Sequence, residues 1–180
     1  MLQLKIDDAS FYDERTESFL DIKGQTIQLE HSLVSISKWE AKWKKPFLSR
    51  EPKTREETID YIRFMTITQC VNPLLYTLIT DEMVEKINTY IDDPMTATTI
   101  RKTEGKGSAR GIITSEEVYY YMTAYQIPFE AQRWHFNRLM TLIRVCDEHN
   151  KPKKKGRVGE NRANWSKVNA ARRAKLGSRG

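Results

Sequence analysis

The stretch that decides the fold runs from Pro128 to Glu148 and reads PFEAQRWHFNRLMTLIRVCDE. Its apolar residues recur at steps of three and four, which is the spacing that places side chains on one face of an α-helix. Proline suits the first turn of a helix, so the pattern predicts a helix that begins at Pro128. We therefore predict that the longest helix of the chain spans about Pro128 to Glu148 and forms the centre of the core. Its predicted core-facing side consists of Phe129, Gln132, Phe136, Leu139, Met140, Ile143 and Cys146.

Five shorter helices are predicted upstream, from the same periodicity and from residues that cap helix N-termini. The first carries Trp39 and Trp43 and ends near Pro46. Two others begin with capping boxes, in which a threonine and a glutamate three residues later satisfy opposite backbone amides. The predicted N-caps are Ser32, Thr54, Asn72, Thr80 and Thr114.

The first thirty residues have the pattern of short strands. Residues 2 to 6 alternate between apolar and polar side chains, the period of a half-buried strand. The segment from Asp7 to Glu17 is rich in acidic residues, which predicts a turn. Phe19–Ile22 and Thr26–Leu29 flank Lys23-Gly24-Gln25, which predicts a hairpin. Two or three short strands are therefore expected to open the chain.

The charge is concentrated at the C-terminal end. The chain has 180 residues with 30 Lys+Arg and 24 Asp+Glu, yet residues 151 to 180 hold eleven basic residues and one acidic residue. Residues 1 to 150 hold 19 basic and 23 acidic residues. Such a basic tail binds nucleic acid, an acidic protein or its own acidic body, or stays solvated without a specific partner. A helix is expected within it from about Glu160 to Lys175, ending at Gly177.

These patterns together predict a mainly α fold of the α+β class. We expect a single helical domain over residues 1–150 with an N-terminal β-hairpin, and a basic tail over 151–180 that is mobile or partly helical.

Composition points to a water-soluble protein of the cell interior. The chain is 39% hydrophobic and 30% charged, and no run approaches the roughly 18 apolar residues of a membrane span. The N-terminus lacks a basic region followed by an apolar run, so no signal peptide is expected. Cys70 and Cys146 do not make a disulfide framework. We expect an intracellular protein with no membrane partner.

Residues that carry chemistry are sparse. His135 lies in Trp134-His135-Phe136, where an interior histidine is more common than a catalytic base. Cys70 and Cys146 have the surroundings of small hydrophobic residues rather than reactive thiols. Gly105-Lys106-Gly107-Ser108 lacks the spacer of a phosphate-binding loop and is expected to be an exposed loop. We predict a protein that is not an enzyme and that has no cofactor or metal.

The aromatic residues are better candidates for protein contacts. Tyr119, Tyr120 and Tyr121 are about 100° apart around a helix, so they cannot all be internal. Trp39 is expected in the core, and Trp43, among lysines, is expected at an interface. The predicted partner-binding residues are Trp43, Tyr119, Tyr120 and Tyr121, together with the basic Lys153, Lys154, Lys155, Arg172 and Arg173.

Several phrases resemble a known family. They are Leu29–Glu40 (LEHSLVSISKWE), Lys45–Leu48 (KPFL), Met95–Thr98 (MTAT), Ile127–Glu130 (IPFE), Trp134–Leu139 (WHFNRL) and the basic ending at Asn169–Arg173. The chain resembles, over nearly its whole length, small proteins encoded in the structural gene modules of long-tailed (siphovirus-type) bacteriophages. These proteins are often labelled tail assembly chaperones.

The resemblance implies assembly work in the cytoplasm of the host cell. Such chaperones bind the long helical tape measure protein, keep it soluble, help recruit tail tube protein, and leave as the tube polymerises. Two alternatives stay open: a structural virion component, such as a connector or tail-completion subunit, and a nucleic-acid-binding protein that uses the basic tail. We expect nucleic-acid binding to be weak and indifferent to sequence, and self-association also stays open.

Overall fold

The computed structural model describes residues 1–13, 15, 17–99, 113–150 and 158–177. Within these ranges the chain is mainly helical with a small N-terminal β element, as the sequence predicts for an α+β fold. It divides into two compact units, Met1–Asp147 and Glu148–Gly180. No helix in the described ranges is both long enough and apolar enough to cross a membrane.

The helices of the first unit begin where the capping residues predict. Thr54 Oγ1 accepts a hydrogen bond from Glu57 N at 3.2 Å, and Glu57 Oε2 accepts one from Thr54 N at 2.8 Å. Ser32 forms a capping box with Ser35, and the side chains of Asn72 and Thr80 each accept a hydrogen bond from a first-turn amide, Leu74 N and Met83 N, so these N-cap predictions are confirmed. The helices are α1 (Leu33–Trp43), α2 (Arg55–Met65), a 3-10 helix (Pro73–Leu78), α3 (Asp81–Asp92), α4 (Ser115–Ala124), a second 3-10 helix (Phe129–Arg133), α5 (Phe136–Asn150) and α6 (Val158–Leu176).

Four strands open the chain, and their pairing corrects the predicted hairpin. They are β1 (Leu2–Ile6), β2 (Ala9–Asp13), β3 (Ser18–Ile22) and β4 (Gln25–Leu29). β1 pairs with β4 and β2 pairs with β3, both antiparallel. The prediction that residues 19–22 pair with 26–29 is therefore wrong, and the predicted acidic turn over 7–17 contains a strand.

The two ladders follow a single register. In every pair of both ladders, from Leu2 with Leu29 to Asp13 with Ser18, the two residue numbers add to 31. The strands thus form one long ribbon with an interruption at Asp7-Asp8 and Lys23-Gly24. Lys23-Gly24 therefore connects β3 to β4 in the same direction and is not a hairpin turn. Gly24 lies close to residues 6–8 of the opposite strand segment. A Cβ atom at Gly24 would lie 2.3 Å from Ile6 O, and the Gly24 amide donates to Asp8 Oδ1 at 2.6 Å.

The decisive stretch is not one helix. It forms the short 3-10 helix and then α5, and α6, with 19 residues, is longer than the 15 residues of α5. Trp134 between them is extended, and His135 forms a β-bridge with Ser32. Phe136 N donates to His31 O at 2.7 Å, so a tertiary contact takes an amide that a continuous helix would use. Phe129 is exposed as a result, whereas Phe136, Leu139 and Ile143 are buried as predicted.

The core contains buried side chains of β1, β4 and the end of β3, of α1 to α5, and of both 3-10 helices. Trp39 is buried there, as expected, and its indole donates to Glu57 O at 2.9 Å. Leu139 of α5 is completely buried, which confirms the central place of that helix. The helix expected near the C-terminus is present as α6, and Gly177 after it has a positive φ of 62°.

Candidate protein-binding surfaces

The three consecutive tyrosines of α4 point in different directions, as their spacing requires. Val118 and Met122 occupy the buried side of the helix. Tyr119 is half-buried, its hydroxyl donates to Gln132 Oε1 at 2.9 Å, and burial raises its pKa. Tyr120 is 68% exposed, and Tyr121 is exposed beside it. The exposed tyrosines of α4 are therefore Tyr120 and Tyr121.

Tyr121 belongs to a groove between α4 and α5. This α4–α5 groove has a volume of about 260 Å³, and its apolar lining residues include Met140 and Ile143. Tyr121 stacks on Tyr125 with ring centroids 6.5 Å apart, and the Tyr125 hydroxyl donates to Asp147 Oδ1 at 3.3 Å. The groove is lined by Ile113, Glu117, Tyr121, Tyr125, Met140, Ile143, Arg144 and Asp147.

The groove is lined by apolar side chains and by the charged Glu117, Arg144 and Asp147. A helix with an apolar stripe flanked by charged residues offers side chains of matching chemistry. The lining of the groove is thus chemically suited to binding an amphipathic helix. Tyr121 would provide an aromatic contact of the kind that is enriched at protein interfaces.

Trp43 is held more firmly than its sequence context indicates. It is half-buried at the end of α1, and its ring lies 6.4 Å from that of Trp39. Lys42 Nζ lies 5.4 Å from the ring centroid. The indole nitrogen of Trp43 is buried and has no hydrogen-bond partner within the described part of the chain. Trp43 therefore combines core packing with a partly exposed face.

The predicted basic residues fall into two groups. Arg172 and Arg173 are exposed on α6, together with Trp165, which is 65% exposed. Lys153, Lys154 and Lys155 lie outside the described residues, as does Gly105-Lys106-Gly107-Ser108.

A further exposed surface was not anticipated from the sequence. Strands β2 and β3, here called the β2–β3 arm, carry Phe11, Tyr12, Phe19 and Leu20, all exposed, with Phe19 at 72%. Tyr12 and Phe19 pair across the strands with their ring centroids 5.3 Å apart. The sequence does contain a sign of this pairing. Phe11-Tyr12 and Phe19-Leu20 are dipeptides typical of strands, and they lie at equal distances on either side of residues 15 and 16. The acidic residues between them favoured the prediction of a turn instead.

Two histidines meet inside the first unit. His31 and His135 are both buried, with ring centroids 5.2 Å apart, and His31 Nδ1 shares a hydrogen bond of 2.5 Å with the Tyr61 hydroxyl. Burial, with a smaller contribution from His135, lowers the pKa of His31 to about 3. His135 Nε2 contacts Tyr90 O at 3.1 Å. A neutral, enclosed His31 joins the segment before α1 to the start of α5.

Two buried acidic side chains form hydrogen bonds and salt bridges within the first unit. Glu40 is buried and accepts hydrogen bonds from Phe47 N and Ser115 N, each at 2.8 Å. Asp60 pairs with Lys42 and, at 3.6 Å, with Arg63. In the ranges that the structure describes, no three His, Cys, Asp or Glu side chains lie close enough together to hold a metal ion.

Comparison of this chain with protein-family models, with curated proteins and with solved structures found no match.

Proposed function

We propose that the protein is a non-enzymatic phage tail assembly protein, a chaperone that binds the tape measure protein while the tail is built. The observation that supports this proposal is the α4–α5 groove, whose lining combines apolar residues such as Met140 and Ile143 with charged residues and the exposed Tyr121. The resemblance described above supplies the identity of the partner, and the groove supplies a surface of suitable chemistry.

The proposed contact is helix-in-groove binding. An amphipathic helix of the tape measure protein places its apolar stripe on Met140 and Ile143, and its flanking charges meet Glu117 and Arg144 of the groove lining. Tyr121 closes over the bound helix, and Tyr120 extends the contact. Covering such apolar stripes keeps a long helical protein from aggregating before tail tube protein surrounds it.

Co-expression with the tape measure protein of the same phage tests the proposal. We expect this chain to raise the soluble fraction of that protein, and the double variant Tyr120→Ala/Tyr121→Ala to remove most of the effect. The matched control is Ile67→Ala, which changes an exposed apolar residue outside the groove. Unchanged solubility of the tape measure protein with and without this chain would overturn the proposal.

Trp43 gives a second contact variant. Because its ring packs on Trp39, Trp43→Ala needs a parallel circular dichroism measurement to show that the fold is intact. With the fold intact, we expect Trp43→Ala to reduce the solubility effect in part.

The rival assignment to a structural virion component predicts a different location for the protein. Mass spectrometry of purified virions separates the two, because a chaperone that leaves during tube polymerisation is absent from mature particles. A copy number comparable to that of known tail proteins would support the structural component instead.

A second candidate function is weak nucleic-acid binding, favoured by the exposed Arg172 and Arg173 on α6. Binding through phosphates falls with salt, the logarithm of the binding constant declining by about 0.7–0.9 per phosphate for each decade of salt. We expect affinity to depend steeply on salt and not on sequence. Tight binding to one defined sequence at physiological salt would favour a nucleic-acid function over the chaperone.

A further inference from the structure

The β2–β3 arm has the features of a surface that requires a covering partner. It exposes four large apolar side chains, and it is two-stranded, with no further strand on either edge among the described residues. Two-stranded ribbons are marginally stable in water, and open edges accept another polypeptide. Aromatic pairs such as Tyr12 with Phe19 are typical of the centres of protein interfaces.

Charge decides what kind of partner fits. Residues 7 to 23 contain six acidic residues and two basic ones, a net charge of −4. Asp21 and Glu17 are exposed on the arm. Two arms of the same sequence repel each other, so pairing of arm with arm is disfavoured. The arm favours a basic segment that also carries exposed apolar side chains.

The chain itself contains such a segment. Helix α6 exposes Trp165 and Val168 together with Arg172 and Arg173, and residues 151 to 180 carry a net charge of +10. Trp, Tyr and Arg are the residues most enriched among those that dominate binding energy. The charges of the arm and of α6 are opposite, and both surfaces expose aromatic side chains.

We propose that the protein associates with itself, the β2–β3 arm of one copy binding α6 of a second copy. Phe19 and Tyr12 contact the exposed Trp165 of the second copy, and the arm carboxylates face Arg172 and Arg173. The two contact surfaces differ, so the interface is heterologous, and each copy keeps a free arm or a free α6 until a ring closes. This interface is separate from the α4–α5 groove.

Sedimentation of the full chain tests the proposal. We expect masses above the 21.1 kDa of one chain at protein concentrations up to about 100 μM, where micromolar affinities are detectable. Raising the salt from about 0.1 M to about 1 M shortens the Debye length from about 10 Å to about 3 Å, so association should weaken at least severalfold.

A charge exchange identifies the two surfaces. One full-length variant carries Glu17→Lys and Asp21→Lys, and another carries Arg172→Glu and Arg173→Glu. We expect each variant alone to associate more weakly than the unmodified protein, because the first removes the net charge of −4 over residues 7 to 23 and the second lowers that of residues 151 to 180 from +10 to +6. Mixing the two variants should restore association, because the unaltered arm of the second variant then meets the unaltered α6 of the first.

The apolar contribution has its own matched pair. Phe19→Ser should weaken association at least tenfold, whereas Leu74→Ser, at an exposed leucine outside the arm, should leave it unchanged. Circular dichroism confirms the fold of each variant. The proposal is overturned if the unmodified protein stays monomeric at all concentrations, or if the two charge variants do not associate when mixed.

Discussion

Single buried polar residues join distant parts of the first unit. The Glu40 carboxylate uses one oxygen for the amide of Phe47, in the segment after α1, and the other for the amide of Ser115, at the start of α4. No local pattern in the sequence indicates this link, because Ser115 is 75 residues further along the chain. One side chain thus links the start of the helix that carries the tyrosines to α1 and to the segment after it.

Glu40→Gln tests the link. The amide has one acceptor oxygen, so one backbone N–H is left facing an NH₂ group, and we expect the free energy of unfolding to fall by about 1–3 kcal/mol. Urea denaturation followed by circular dichroism measures it. Glu85→Gln on the exposed side of α3 is the matched control and should change stability by less than about 0.5 kcal/mol. Equal effects of the two substitutions would show that the Glu40 contacts contribute nothing.

His31 predicts a dependence of stability on pH. The folded protein keeps His31 neutral down to a pKa of about 3, whereas its ordinary value is 6.5. Below pH 6.5 the unfolded chain binds a proton that the folded protein does not, so stability falls as pH falls towards 3. The slope from this one group approaches about 1.4 kcal/mol per pH unit.

Urea unfolding at several pH values gives the slope directly. In His31→Gln the slope of the free energy of unfolding against pH should decrease by the contribution of about one proton, even if the variant is less stable at neutral pH. His149→Gln, at an exposed histidine of α5, should keep the slope of the unmodified protein. A slope that is the same in His31→Gln as in the unmodified protein would contradict the assignment.

Among the elements, α5 contributes most plainly to the core. Leu139 is completely buried on it, and truncating a buried leucine costs about 2–5 kcal/mol because a cavity remains. We expect that loss for Leu139→Ala in denaturant unfolding. Leu176→Ala, at an exposed leucine of α6, is the control and should have little effect. A loss below about 1 kcal/mol for Leu139→Ala would mean that the site collapses or is open to water.

The helix starts were predictable and the strand pairing was not, for a physical reason. A cap such as Thr54 bonds to residues within its own first turn, so a window of four residues contains the whole interaction. The pairing of β1 with β4 joins residues up to 27 positions apart, and the segment between them had to be recognised as two further strands. The break before α5 depends on a contact with His31, which no window around Trp134 contains.

The candidate surfaces divide in the same way. The exposure of Tyr120 and Tyr121 follows from helical geometry alone, since Val118 and Met122 fix the buried side. The groove beside Tyr121 needs α5 as its second wall, so it appears only in the folded structure. The half-burial of Trp43 likewise depends on its neighbour Trp39 and not on the lysines around it in sequence.

At the scale of the whole molecule, the first unit should be independent of the C-terminal one. Residues Met1–Asp147 form a compact unit that contains the buried core. A chain ending at Asn150 should therefore fold, with a urea midpoint close to that of the full protein. Circular dichroism and urea unfolding of the shortened chain provide the measurement. If it is unfolded in buffer, residues after Asn150 are part of the core.

The single register of the ribbon has a consequence for how fast the molecule folds. β2 and β3 have only four residues between them, so they can pair early, as local hairpins do. Once β2 and β3 are paired, the ends of β1 and β4 lie close together. The loop that β1–β4 pairing must close is then reduced from residues 7–24 to residues 7, 8, 23 and 24 at the interruption. That shortening saves about 1 kcal/mol of loop-closure entropy. We therefore expect substitutions at Phe11 or Leu20 to slow stopped-flow refolding of the whole first unit, although these side chains lie outside its core.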